Sequence, residues 1–356
     1  MPAGSRVVCV TDGRLWRGPG WGDADLDPAV ARAMLGRGLM ELTGAGDPSA
    51  ALIAIIPAVS DPSQRYAIKV NAVNPTLPSH PVVVGALVEL LVAAGASATS
   101  IVVFDREDGE LARAGFVVGD GPAAAVRGTD HEPDGYGEPV PLTDATVRPA
   151  RLLDAVDHVI NVPVLKQHEM TGMTGALKNH FGSIDRPQSL HGRARDCSPG
   201  IAEVAALPAI RDKTRLVVMD AAFATYRGGL MGAPEVAPLT LALGVDPVAV
   251  DTVGQEIINA RRARDGLDPA VARHLLDAAA RGLGVADLAR IDRVDVTLAP
   301  VVERLPPAPA TSCGCGTAVG SRQGGARLGA AALGAAAMGL ALRRRNAVRR
   351  GRRDAR

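Results

Sequence analysis

The chain has 356 residues, 47% hydrophobic and only 3% aromatic, with 26 prolines, so any large core must be built from Ala, Val, Leu and Ile. Its formal charge of +1 conceals a split, because Arg343–Arg356 holds eight arginines and one aspartate, a local +7 that leaves about −6 elsewhere. A mildly acidic body with few aromatics excludes DNA or RNA as the main partner and offers single strands no stacking platform.

Apolar β-type runs alternate with helical patterns, which predicts an α/β fold with a largely parallel central sheet flanked by helices. Arg6–Thr11 reads as the first strand. Asp27 caps a helix running to Leu42, with Pro28 in its first turn and Gly44 just beyond its end. Ala67–Val70 is a short strand ending in Asn71, and alternation turns Lys69 away from the face of Ile68 and Val70. Pro75, Pro78 and Pro81 stiffen the loop that follows, with His80 at the entrance of a helix Pro81–Ala94 closed by Gly95. Ile101–Phe104 is a strand ending at Asp105, and His158–Val162 another ending at Pro163. Leu216–Met219 ends at Asp220 and leads into a glycine-rich loop from Arg227 to Gly232. Leu239–Leu243 is a further strand, and Asp246-Pro247 opens a long helix to about Arg264. Two more helices and a strand near Val294–Leu298 complete the body.

These elements form one α/β domain over residues 1–300, followed by a Pro-rich linker, 301–312, and a C-terminal segment, 313–356. That segment contains Cys313 and Cys315, an apolar run at 328–342 and the arginine cluster. A helix of that run rises about 22 Å against a hydrocarbon core of about 30 Å. An arginine block beside it favours the cytoplasmic side of a bilayer.

Polar residues able to do chemistry stand where β-runs stop, at Asn71, Asp105, Lys166 and Asp220, and open parallel sheets bind ligands at the carboxyl ends of their strands. Only four lysines stand against 35 arginines, and three of the four fall in two short segments, Tyr66–His80 and His158–Gly182. The same segments hold Asn71, Asn74, Asn161 and Asn179, four of the six asparagines. A lysine retained in so arginine-rich a chain suits work that guanidinium cannot do, since burial can draw its pKa towards neutrality. Lys166 and His168 are expected on a loop leaving a strand, with Lys69, Lys166, His168 and Lys178 as the catalytic candidates. The turn Thr171–Gly175 reads as a helix entrance whose free amides favour an anion, with Lys178 on the same helical face as Thr174. Asn71, His80, Asp105, Thr171, Thr174, Gly175, Asn179, His180 and Asp220 are the ligand-binding candidates. The spacing does not match a P-loop. His158 reads as structural and His131 and His274 as surface residues, while His191 and Cys197 are open. A metal is an open question, because no closely spaced histidine pair supports one. Cys9 reads as a buried thiol, and the four cysteines do not support an iron–sulphur cluster.

The segments IKVN (Ile68–Asn71), SHP (Ser79–Pro81), Asn161–Gly182 with its TGALKN block, and DPVAVD (Asp246–Asp251) resemble the family called domain of unknown function 362, over roughly residues 6–300. The resemblance implies an α/β domain of undetermined activity; some relatives carry a ferredoxin-type iron–sulphur module that this chain lacks the cysteines to build. The tail is similar to a myxobacterial-type C-terminal sorting signal of cysteine motif, short apolar helix and arginine cluster. That resemblance implies membrane anchoring, processing at Cys313 or Cys315, and display on the cell surface. Met1–Thr11 has no signal-peptide pattern, which points instead to the cytoplasm if the N-terminus is complete. Three functional readings follow: an enzyme acting on a small anionic substrate by Lys/His acid–base chemistry, a surface-displayed ligand- or metal-binding protein, and a redox accessory protein without its own cluster.

Overall fold

A computed structural model describes residues 5–121, 123–130, 135–191 and 196–302. Its strands are β1 (Ser5–Asp12), β2 (Tyr66–Lys69), β3 (Ile101–Asp105), β4 (Ala125–Gly128), β5 (Val140–Pro141), β6 (Thr146–Val147), β7 (His158–Asn161), β8 (Val164–His168), β9 (Gly172–Thr174), β10 (Thr214–Thr225), β11 (Thr240–Gly244) and β12 (Ile291–Ala299). Its helices are α1 (Pro28–Thr43), α2 (Pro48–Ile55), α3 (Pro81–Ala93), α4 (Asp108–Arg113), α5 (Ala176–Asn179), α6 (Gly200–Ala205), α7 (Pro208–Arg211), α8 (Pro247–Arg264) and α9 (Arg273–Ala280). Helices α1, α2 and α8 each open on a proline behind an aspartate, Asp27, Asp47 and Asp246, whose carboxylate accepts from first-turn amides. Proline lacks an amide that would go unpaired there, and the carboxylate satisfies the next ones. Helix α1 stops at Gly44, which takes a left-handed φ of 77°.

The main sheet runs β12-β1-β11-β10-β7-β2-β3-β4, with β8 and β9 attached beside β10. It is mostly parallel; β11 runs antiparallel to both β1 and β10, and β9 to β8. Alternation along each strand divides the core in two. Val8, Val10, Ile68, Val70, Val103, Leu216 and Leu241 face the layer of α1, α2 and α3. Val7, Cys9, Ala67, Phe104, Val159, Val217 and Ala242 face α5, α6, α8 and α9. Helices therefore cover both faces, as a parallel sheet requires. Lys69 shares the face of Ala67 and enters the second layer.

Three expectations change. Val164–His168 is strand β8 rather than a loop. Strand β10 does not stop near Met219 but continues through Asp220 to Thr225, because its partner changes: its first half pairs with β7 and its second with β8. The gap at Val162-Pro163 is bridged by the Asp220 amide donating to the Pro163 carbonyl at 2.8 Å. Between α8 and β12 the chain has one α-helix, α9, and a single 3-10 turn.

Among the described residues no helix is long and apolar enough to cross a membrane. The linker from 303 onward, Cys313, Cys315, the run 328–342, the arginine cluster and His131 lie outside the described residues.

Candidate functional site

Three parallel strands end side by side, with Lys69 of β2 in register with Phe104 of β3 and Asn161 of β7. Lys69 Nζ donates to Asp105 Oδ1 at 2.7 Å and to the Val70 carbonyl at 2.5 Å. The Asp105 carboxylate also accepts the amides of Ala72 and Arg106, so it is a buried counter-ion rather than a helix cap. Burial draws the Lys69 pKa down and outweighs the pull of Asp105 in the other direction. At the start of α3, His80 Nδ1 meets Asp220 Oδ2 at 2.8 Å, and the His80 amide donates to the same oxygen at 2.9 Å. Burial lowers the His80 pKa most, but the Asp220 carboxylate and its hydrogen bond together outweigh it and hold the imidazole above its usual value. His80 Nε2 is buried without a hydrogen-bond partner.

Lys166 occupies the middle of this arrangement and is fully buried. Its Nζ donates to Asn71 Oδ1 at 2.7 Å, and among the described residues no carboxylate lies within ion-pair distance of it. Amides then run in one direction: Asn71 donates to Asn179 at 3.2 Å, and Asn179 to Asn161 at 2.7 Å. Asn161 in turn donates to the Ala176 carbonyl at 2.8 Å and stands 3.2 Å from His180 Nε2. His180 closes the chain on Ser183 and is driven down to about 3 by burial, so it stays neutral. A buried ammonium held by a neutral amide loses hydration, and the more distant charges of Asp105 and Asp220 offset that only in part. Burial pulls Lys166 down to about 7, with the charge of Lys178 pushing the same way.

The hairpin β8–β9 sets Lys166 opposite Thr174 and His168 opposite Gly172, so Lys166, His168 and Thr174 share one face. The Thr174 hydroxyl is buried without a partner. Lys178, on α5, has no carboxylate within ion-pair distance among the described residues; its amine lies 4.9 Å from the Phe181 ring centre, and burial lowers it to about 8. His168 Nδ1 accepts the amides of Met170 and Thr171 at 3.1 and 3.3 Å, which places any proton on Nε2. Burial pushes His168 down to about 4, so near neutral pH its imidazole is uncharged. The Lys178 charge acts on His168, His191, His274 and Cys197.

The anion cradle expected at Thr171–Gly175 is already filled from within. Residues 172–174 form β9, whose partner is β8, and α5 begins only at Ala176. The free amides there, of Ala176 and Leu177, donate to the two oxygens of Asp251 at 2.6 and 3.0 Å. Thr171 and Gly175 therefore support the turn, with the Thr171 hydroxyl donating to the Met173 carbonyl, and Thr174 does not share a helix face with Lys178. Burial raises Asp251 to about 7 against those amide bonds. His274 is also corrected: α9 packs it to 1% exposure, with neither ring nitrogen partnered. His158 bonds Gln64 and Arg215 away from this cluster. Asp251, Asn161 and His274 lie beside these side chains and were not among the catalytic or ligand-binding candidates. Asp251 had one available signal, an acid inside the apolar stretch Val248–Val253 of a helix.

Among the described residues no group of three or more His, Cys, Asp and Glu side chains could hold a metal ion. A cavity of about 920 Å³ lies at the other ends of β2 and β3, lined by Arg65, Thr99, Arg127 and Arg151. None of the lysine cluster lines it, so its size carries no weight against the chemistry at the strand ends. A pocket of about 120 Å³ reaches Asn161 and His180.

The profile described as Domain of unknown function (DUF362) matches residues 67–256, a span that includes every buried lysine, Asp105, Asp220 and Asp251. The chain belongs to that family. No curated protein matches the sequence. Among solved structures, a protein from Thermotoga maritima superposes with a TM-score of 0.38 at 12% identity, over 62% of this chain and 58% of that one. This chain thus spans less than two thirds of that protein's length.

Proposed function

We propose that the protein is an enzyme acting on a small anionic substrate at the ends of β2, β3 and β7, with Lys166 as its proton-transferring group. The observation that supports this most is the Lys166 amine itself, enclosed, bonded to Asn71 and, among the described residues, without a carboxylate in ion-pair reach. With a pKa near 7 it can both accept and return a proton at physiological pH, which is what general acid–base work needs. Lys69 is held by Asp105 and becomes a positioning residue, while His168 is too weak a base for the role. Asn71, Asn179 and Asn161 fix the direction of the Lys166 amine. His80, whose pKa the Asp220 carboxylate raises, supplies a second proton carrier through Nε2, which has no partner among the described residues. Lys178 supplies positive charge to the substrate.

The four lysines make the test direct. Lysine labelled at Cε gives four carbon signals, and the one lost in Lys166→Arg should titrate near pH 7 in the wild type. A midpoint near 10 for that signal would overturn the reading. Against a panel of small carboxylates and phosphate esters, turnover should fall about 10²–10⁴-fold in Lys166→Arg, because guanidinium cannot give up its proton.

For the tail we propose the membrane anchoring that the apolar run and arginine cluster at 328–356 suggest, with the body displayed from it.

A further inference from the structure

We infer that this site takes a ligand bearing two negative charges on one small frame, a phosphoryl group or a dicarboxylate, held between Lys166 and Lys178. This deepens the anionic-substrate reading and rests on it. The acids whose charges act on Lys166 are Asp105 of β3 and Asp220 of β10; both are already engaged, by Lys69 and by His80. Asp251 is turned to the amides of α5. Around Lys178 stand His168 of β8, His191, Cys197 and His274 of α9, with Asp196 beside Cys197. No carboxylate among the described residues pairs with Lys178. Two enclosed amines thus have no carboxylate bonded to them among the described residues, and one negative charge would answer only one of them.

The neutral groups point the same way. Thr174 Oγ1 and both nitrogens of His274 are buried polar atoms without partners, and native interiors seldom leave such atoms unbonded. Thr174 stands opposite Lys166 on the hairpin, with the Nε2 of His168 on the same face. Two amines, a hydroxyl and an imidazole N–H together offer an oxygen-rich dianion several charge-assisted bonds.

Binding such a ligand must also move protons. With Lys166 at about 7 and Lys178 at about 8, both amines are partly neutral at pH 8, and a dianion between them draws protons in. The full chain would be titrated calorimetrically at pH 8 with sulfate, malonate and inorganic phosphate, and with acetate and chloride, in two buffers of different ionisation enthalpy. The expected result is binding of at least one dianion with uptake of about one proton or more. Lys166→Met and Lys178→Met should each weaken that binding about ten-fold or more, with circular dichroism confirming that both fold. Phosphate favoured over malonate assigns a phosphoryl ligand; the reverse assigns a dicarboxylate. Acetate binding as tightly as sulfate, with Lys178→Met unaffected, would overturn the two-charge inference but leave the anionic-substrate reading standing. Failure of every probe to bind would overturn both.

Discussion

Lys166, the proposed proton carrier, weighs against the stability of the fold. Its folded pKa of about 7 lies below the free value of 10.5, so between those values the unfolded chain holds the extra proton. Stability therefore rises with pH across that window, and below pH 7 the enclosed cation carries its full penalty. Lys166→Met, which keeps the bulk and removes the charge, should stabilise the fold at pH 6 by about 2–5 kcal/mol. That gain should shrink steadily above pH 7. Urea unfolding of both proteins at pH 6 and pH 9 measures it, and a Met variant no more stable than wild type at pH 6 would show that the amine is not buried as described. That three of the four lysines concentrate in two short segments was legible from composition alone, and the fold brings those segments together. Which of them meets a carboxylate was not, because that depends on Asp105 reaching Lys69 across 36 residues while, among the described residues, Lys166 bonds Asn71.

Helix α5 has only four residues, yet it carries Lys178 and Asn179 between two glycines that each face a buried carboxylate. A Cβ on Gly175 would stand 2.1 Å from Asp251 Oδ1, and one on Gly182 would stand 2.1 Å from Asp105 Oδ1 and 2.7 Å from Lys69 Nζ. Neither carboxylate can yield easily, since each is held by two backbone amides. Gly175→Ala should cost about 1–3 kcal/mol by overpacking, and Asp251→Ala about 2–5 kcal/mol by leaving two buried amides unbonded. Thermal unfolding of the two variants and of the double variant tests this. Because the residues touch, the effects should fall short of additive, whereas full additivity would mean that Gly175 and Asp251 do not share this contact. The sequence pattern here read as an open anion cradle. Only the packing of α8 against α5 revealed that Asp251 already fills it.

At the scale of the whole molecule the closing element is β12, which pairs along the full length of β1 and covers an edge of the sheet. Among the described residues the two cores draw only on those between Val7 and Leu298. A chain ended at Pro309 should therefore fold with unchanged stability, and if the tail anchors the protein it should move from the membrane fraction to the soluble one. A chain ended at Leu288 loses β12, exposes the β1 edge and should aggregate. Solubility and fractionation of the two truncations decide it; a truncation at Pro309 that still partitions with membranes would reject the anchoring proposal. The alternating apolar runs, the Asp-Pro helix starts and the scarcity of lysine were properties of the sequence, because propensity, capping and burial pattern act over a few neighbouring residues. They determined an α/β sheet with polar groups at its strand ends. Only the tertiary structure decided that β10 runs on past Asp220, that Asp251 satisfies α5, and that Lys69 and His80 each meet a carboxylate while, among the described residues, Lys166 and Lys178 meet none. Pairing between charges depends on distances in space between residues far apart in the chain, and no local pattern carries that information.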